Sequence, residues 1–148
     1  MNRAFLLIGL MTGSTLLAAE TKIAFNELPA AVQAAAKAQT NGAEIVGASK
    51  EMERGSAVYE VETKTGGKSR DLSFDKTGKL LEVEQDVDLD SIPPAAQESL
   101  RKRASGGTIK KVESATQGST VTYEATIRMK NGKQTEVAVN ADGTPHHE

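Results

Sequence analysis

The chain contains no cysteine and no tryptophan. Thiol catalysis, Cys-ligated zinc and iron–sulfur clusters are therefore excluded, as is lipid anchoring on an N-terminal cysteine. A domain of this size can fold without disulfides, and this one must. Aromatic residues make up only 3% of the chain, which leaves few side chains of the type that anchors tight interfaces. The two histidines, His146 and His147, stand together at the C-terminus, so the body of the chain lacks the commonest general acid–base group. Charge of one sign is also missing. Lys and Arg total 18 against 20 Asp and Glu, intermixed, for a net charge of −2, and no concentrated basic face exists to neutralise phosphates. Nucleic acid is not an expected partner.

No apolar run reaches the roughly 20 residues of a membrane span. The longest, Ala4 to Leu17, is broken by Thr12, Gly13, Ser14 and Thr15. Arg3 precedes it and Ala18-Ala19 follow, the pattern of a secretory signal peptide over residues 1–19. Leu17 suits the −3 position poorly, and the alternative is an uncleaved N-terminal anchor. The expected location is periplasmic or secreted, with no membrane span after cleavage.

What the chain does have is an internal repeat. Leu28-Pro29-Ala30-Ala31-Val32-Gln33 returns as Ile92-Pro93-Pro94-Ala95-Ala96-Gln97, and Tyr59-Glu60-Val61 as Tyr123-Glu124-Ala125, each 64 residues on. The reading is a first repeat over 20–85, a link over 86–91 and a second repeat over 92–148. Each opens with a helix. Pro29 and Pro93 suit a helix start, and Leu28, Val32 and Ala35 share one face, as do Ile92, Ala96 and Leu100. Asn41-Gly42 and Gly106-Gly107 end the two helices.

Strands follow each helix. In Thr120 to Lys130 the apolar set Val121, Tyr123, Ala125, Ile127 and Met129 alternates with polar residues, which marks a half-buried antiparallel strand. Ala57 to Lys64 is its counterpart. Asn131-Gly132 and Gly66-Gly67 are hairpin turns, followed by strands carrying Val137 and Val139, and Leu72 and Phe74. Ala43 to Glu51 and Thr108 to Ala115 supply the strand after each helix. Lys79 to Gln85 is a fourth strand, matched in the second repeat by a stub at Thr144 to Glu148. The fold class is α+β: two tandem repeats, each a helix packed on a four-stranded antiparallel meander. Whether the two sheets join is not legible.

Most motifs reduce to architecture. Tyr59 and Tyr123 read as core residues. Ser73-Phe74-Asp75-Lys76 has the spacing of S-x-x-K but spans a strand and a turn. Gly67-Lys68-Ser69 resembles the end of a phosphate loop, yet Glu62 stands where the first glycine belongs. Arg101-Lys102-Arg103 complements a helix C-terminus. His146-His147-Glu148 offers at most a weak metal contact. Glu82, Glu84, Asp86, Asp88 and Asp90 alternate with other residues and, on an extended segment, point one way. They read as a solvated face, with a divalent-cation site as the alternative.

The Leu-Pro-Ala-Ala-Val helix start, the Tyr59 to Glu62 strand and the Phe74 to Leu81 hairpin resemble the PepSY-like group of bacterial exported domains. That group is related in architecture to the beta-lactamase-inhibitory protein. The resemblance implies a non-catalytic exported domain that binds or inhibits proteins. With no Cys, no internal His and no acid–base pair in a recognisable pocket, the residues agree: no enzyme and no cofactor are expected. The expected function is protein or peptide binding on the outer sheet face, through Glu60, Glu62, Glu124, Arg128 and Lys130. A cation-binding envelope protein and a structural or assembly protein of the envelope are the alternatives.

Overall fold

Alternating apolar residues punctuated by glycine turns give the described residues of this chain eight strands. The computed structural model describes residues 20–146. The expected leader and the end of the tail, His147-Glu148, lie outside the described residues. The strands are β1 (Thr21–Lys22), β2 (Glu44–Glu53), β3 (Ser56–Thr65), β4 (Lys68–Asp75), β5 (Leu80–Asp86), β6 (Thr108–Gln117), β7 (Thr120–Arg128) and β8 (Gln134–Asn140). The helices are α1 (Ala30–Gln39) and α2 (Pro94–Ala104). Pro29 and Pro93 are the N-caps rather than the first helical residues. The preceding turns are tied by side chains: Gln33 Nε2 donates to the Leu28 carbonyl at 2.8 Å and Gln97 Nε2 to the Ile92 carbonyl at 2.9 Å.

All eight strands form one sheet in chain order, every neighbour antiparallel. The join left open by the sequence is edge to edge: Val83, Glu84, Gln85 and Asp86 of β5 pair with Thr116, Ala115, Ser114 and Glu113 of β6. The fold is thus α+β, two helices on an eight-stranded antiparallel meander. Three expectations need correction. The edge strand β1 was not foreseen, because two residues carry no period. In place of a fourth strand after β8, the described residues show an isolated bridge between Val139 and Pro145. The link is partly structured, since Asp86 closes β5 and Leu89–Ser91 form a 3-10 turn.

Both helices lie on one face of the sheet. Leu28, Val32 and Ala36 pack on Ala48, Val61, Leu72 and Phe74. Ile92, Ala96, Leu100 and Ala104 pack on Val112, Ala125, Ile127 and Val139. Ala36, one position beyond the expected Ala35, takes the third contact of α1; Ala35 is only partly buried. Tyr59 and Tyr123 border the two cores. Burying each large apolar side chain here contributes about 1.5–3 kcal/mol, and fully buried Phe74, Leu72, Leu100 and Ile127 are the largest.

Two glycine turns fix how closely the helices approach. Gly78 has φ +81° and a Cβ there would lie 2.6 Å from the Ala31 carbonyl oxygen; Gly143, also at φ +81°, would meet the Ala95 oxygen at 2.5 Å. Only glycine supplies both the left-handed backbone and the space.

Candidate functional site

With both helices on one side, register decides what occupies the other. Glu62, Asp71 and Glu84 stand directly opposite one another across β3, β4 and β5. Asp86, Glu113 and Glu124 do the same across β5, β6 and β7. A third row holds Ser49, Glu60, Ser73 and Glu82. Like charges directly opposed on a sheet are destabilising. The open face therefore concentrates carboxylates in its middle although the chain as a whole is near neutral.

The electrostatics follow. Burial pushes the Glu60 carboxyl up to about 9, helped by the charges of Asp71, Glu84, Glu20 and Glu62. Burial, then Glu82, Glu113, Glu124 and Asp71, push Glu84 up to about 8. Burial and the neighbouring Glu53 raise Glu51 to about 7. Among the described residues, the charged groups that raise Glu60 and Glu84 are all acidic. Glu60 is 9% exposed, and its Oε1 has no hydrogen-bond partner among the described residues.

The second half of the face carries its own cation. Lys111 Nζ bridges Asp86 Oδ1 at 3.2 Å and also contacts Glu113 Oε1. Its charge offsets part of the rise that burial and Glu113 impose on Glu136. Lys111 follows a register shift between Ile109 and Lys111. The same shift recurs between Ile45 and Gly47, where glycine takes the place of the lysine. The Glu62 carboxylate lies over that glycine, 2.9 Å from where a Cβ would be.

Of the residues expected to form a binding face, Glu60, Glu62 and Glu124 do share the open face. Glu60 is buried rather than exposed, standing between Ser49 and Ser73 in its row, whereas Glu62 on the same strand is half-buried. Arg128 is exposed at the end of β7, opposite Thr108 and Gln134. Lys130 is displaced: it sits in the β7–β8 turn, and its side chain would meet a Cβ on Gly106, beyond α2. The acidic run is divided. Glu82, Glu84 and Asp86 share β5, but Asp88 pairs with Lys68 at 2.8 Å and Asp90 with Arg101 at 2.7 Å. The chain leaves extended geometry after β5, so the five carboxylates do not form one array. Among the described residues, no three His, Asp or Glu side chains are grouped to hold a metal ion.

His146 Nδ1 lies 3.2 Å from Asn140 Oδ1. It borders a cleft of about 30 Å³ with Glu82, Ala115, Gln117, Thr120 and Thr122, space for about one water. Asp71, Lys111 and Glu113 were not singled out from sequence. Strand alternation puts each on the polar side, but only pairing across strands shows that they meet.

Comparison with known proteins bears on this face. A family model described as "Peptidase propeptide and YPEB domain" matches residues 29–84, and one described as "Putative beta-lactamase-inhibitor-like, PepSY-like" matches residues 57–140. No curated protein matches the chain by sequence. Among solved structures, a protein of Bacteroides eggerthii described provisionally as periplasmic is 17% identical, with 80% of this chain and 85% of that chain covered and a TM-score of 0.66. A DUF2874 family protein of Bacteroides uniformis is 21% identical, covering 79% and 85%, with a TM-score of 0.65. A BLIP-like protein of Bacteroides fragilis is 17% identical, covering 79% and 82%, with a TM-score of 0.58. These likenesses show a shared fold. Because the PepSY-like match spans more than half of the sequence, from β3 to the end of β8, the chain belongs to the PepSY-like family of beta-lactamase-inhibitor-like domains.

Proposed function

We propose that this protein is a non-enzymatic, exported module that holds a protein or peptide partner on the open face of its sheet. The observation that carries the reading is the opposed carboxylates at the centre of a face that neither helix covers. Such rows cost stability, and residues retained at a cost to folding are candidates for function. The inhibitor-like and propeptide-like descriptions of the matching families support a binding role. The residue inventory supports a non-catalytic one, since among the described residues the only histidine is His146 at the tail. A periplasmic or secreted location is supported by the signal-like N-terminus and by the provisional periplasmic description of the Bacteroides eggerthii neighbour. No helix among the described residues is long and apolar enough to cross a membrane. Glu60, Glu62 and Glu124 are the proposed central contacts, with Arg128 at the margin.

The same reading takes the fold as two copies of one unit, 20–85 and 92–148, joined by 86–91. Three correspondences support it: the paired register shifts, the Gln33 and Gln97 bonds to the turn before each helix, and Gly78 and Gly143 seated on Ala31 and Ala95.

The test is capture of envelope polypeptides by the immobilised protein, with each captured species then purified and titrated against it. A partner whose affinity falls at least tenfold with Ser73→Trp, which plants a ring at the middle of the open face, supports the reading. The absence of any polypeptide that Ser73→Trp weakens overturns it.

A further inference from the structure

The two halves differ in what covers their last long strand. In sequence Gly132-Lys133 matches Gly67-Lys68, which sets β8 against β4. β5 lies along β4, antiparallel, from Arg70 to Phe74. Along β8 the tail reaches only as far as Ala138: the Asn140 N–H donates to the Thr144 carbonyl at 2.9 Å, and the His146 N–H to the Ala138 carbonyl at 3.1 Å. Exposure follows the cover. Ser69, Asp71 and Leu72 of β4 are buried, Leu72 completely. At the matching positions of β8, Gln134 is exposed, and Glu136 and Val137 are only partly buried. Backbone groups alternate in direction along a strand, so those of Gln134 and Glu136 point the same way as those of Ala138 and Asn140, out from the sheet. Beyond Ala138 nothing among the described residues pairs with that edge. An unpaired edge of this kind is a template for one more strand.

We propose that the open edge of β8, Gln134 to Val137, takes an extended acidic segment of a partner polypeptide as a further antiparallel strand. β5 is the chain's own example of such a segment. Val83 stands opposite Leu72 and packs against the first core, so the partner presents an apolar side chain beside Val137, which borders the second core. Asp86 Oδ2 accepts from the Ser69 N–H at 2.8 Å, and Lys68 Nζ pairs with Asp88 Oδ2 at 2.8 Å. The matching donors at the β8 edge are the Gln134 N–H and Lys133. Arg128 adds a second positive charge, directly opposite Gln134 on β7. Arg128 and Lys133 are both exposed, and neither is in an ion pair among the described residues. Charge complementarity therefore selects an acidic segment over a basic one. The proposal rests on the correspondence of the two halves and goes beyond the open-face reading: contact here is main-chain pairing at the sheet edge, away from Ser73 on β4.

The test is calorimetric titration of the protein with a synthetic peptide of its own Leu80 to Asp88, at about 0.15 M salt. Two modified peptides report on orientation. Val87 turns its N–H to the Val112 carbonyl of β6, so by alternation Gln85 faces β6 and Glu84 faces β4. An N-methyl group on Glu84 therefore removes a donor to β8, and one on Gln85 does not. Gln134→Pro removes an edge N–H at the first residue of β8, where a strand tolerates proline. Lys133→Glu reverses the edge charge, and Lys76→Glu, exposed in the β4–β5 turn, makes the same change in net charge elsewhere. The expected result is binding of the unmodified peptide, weakened about tenfold by methylation of Glu84 and by Gln134→Pro. Lys133→Glu should weaken it severalfold, and methylation of Gln85, Lys76→Glu and Ser73→Trp should leave it unchanged. If Gln134→Pro does not fold, the methylated pair still decides. No binding of the unmodified peptide overturns the proposal. So does a loss on methylating Gln85 as large as that on methylating Glu84, which would put the peptide on another edge. Equal losses in Lys133→Glu and Lys76→Glu would mean diffuse attraction and overturn it as well. A dimer of the free protein that Gln134→Pro dissociates would assign the edge to a second copy, and binding seen only after removal of His147 and Glu148 would assign it to the tail; either result overturns the proposal. Each leaves the open-face reading to its own test with Ser73→Trp.

Discussion

Glu60 shows how much one residue can owe to its surroundings. In sequence it is a polar residue on an alternating strand; in the sheet it is a buried carboxyl among Glu20, Glu62, Asp71 and Glu84, with Lys22 of β1 on the far side of Ser49. Its folded value of about 9 lies above the ordinary 4.5. Between those values the native state holds a proton that the unfolded chain has released, so stability falls as pH rises through that window. Wild-type protein should be most stable near pH 5 and lose stability toward pH 9 in urea titrations. Glu60→Gln should flatten that slope and raise stability at pH 8 by roughly 2 kcal/mol, with no gain at pH 4. Glycine gives a second residue-scale prediction. Gly78→Ala places a Cβ against the Ala31 carbonyl in left-handed backbone and should cost about 1–3 kcal/mol, whereas Gly132→Ala, at φ +83° with open space, should cost less. Thermal melts of the two variants separate backbone strain from steric contact. Neither effect is visible in a one-dimensional pattern: the turn glycines are legible as turns, but their contact with a helix some 50 residues away in the chain is not.

At the scale of elements, the helix faces were legible because one helix period places Leu28 with Val32, and Ile92 with Ala96 and Leu100. Truncating Leu100, fully buried under α2, should cost about 2–5 kcal/mol in denaturant titrations. The strand after each helix carries a harder lesson. Both β2 and β6 contain a register shift that turns one residue out of the alternation and sets Gly47 and Lys111 on the open face. Lys111→Met would leave Asp86 and Glu113 without their cation. Because the lysine side chain is 26% exposed, water screens part of the loss, and about 1–2 kcal/mol is expected in denaturant titrations. The acidic run failed as a single array for an element-scale reason: the strand ends at Asp86, and Asp88 and Asp90 are drawn off to Lys68 and Arg101.

For the whole molecule, the β5–β6 junction joins the sheets under the two cores into one, and the two halves are expected to unfold together. Tyr59 borders one core and Tyr123 the other, so fluorinated tyrosines report on each half separately. Their unfolding transitions in urea should coincide in midpoint and slope, and resolved midpoints would show that the junction does not couple the halves. What the sequence by itself determined is local: where strands alternate, where glycine turns them, which stripe of each helix is apolar, and that 64 residues separate matching features. These depend on neighbours within a few positions, and the chain carries them wherever it goes. What only the tertiary structure decided is lateral. Whether two meanders meet, which carboxylates stand in one row, and whether Glu60 faces water or its own kind all depend on register between strands, and register is settled by pairing and packing of segments that the sequence does not place side by side.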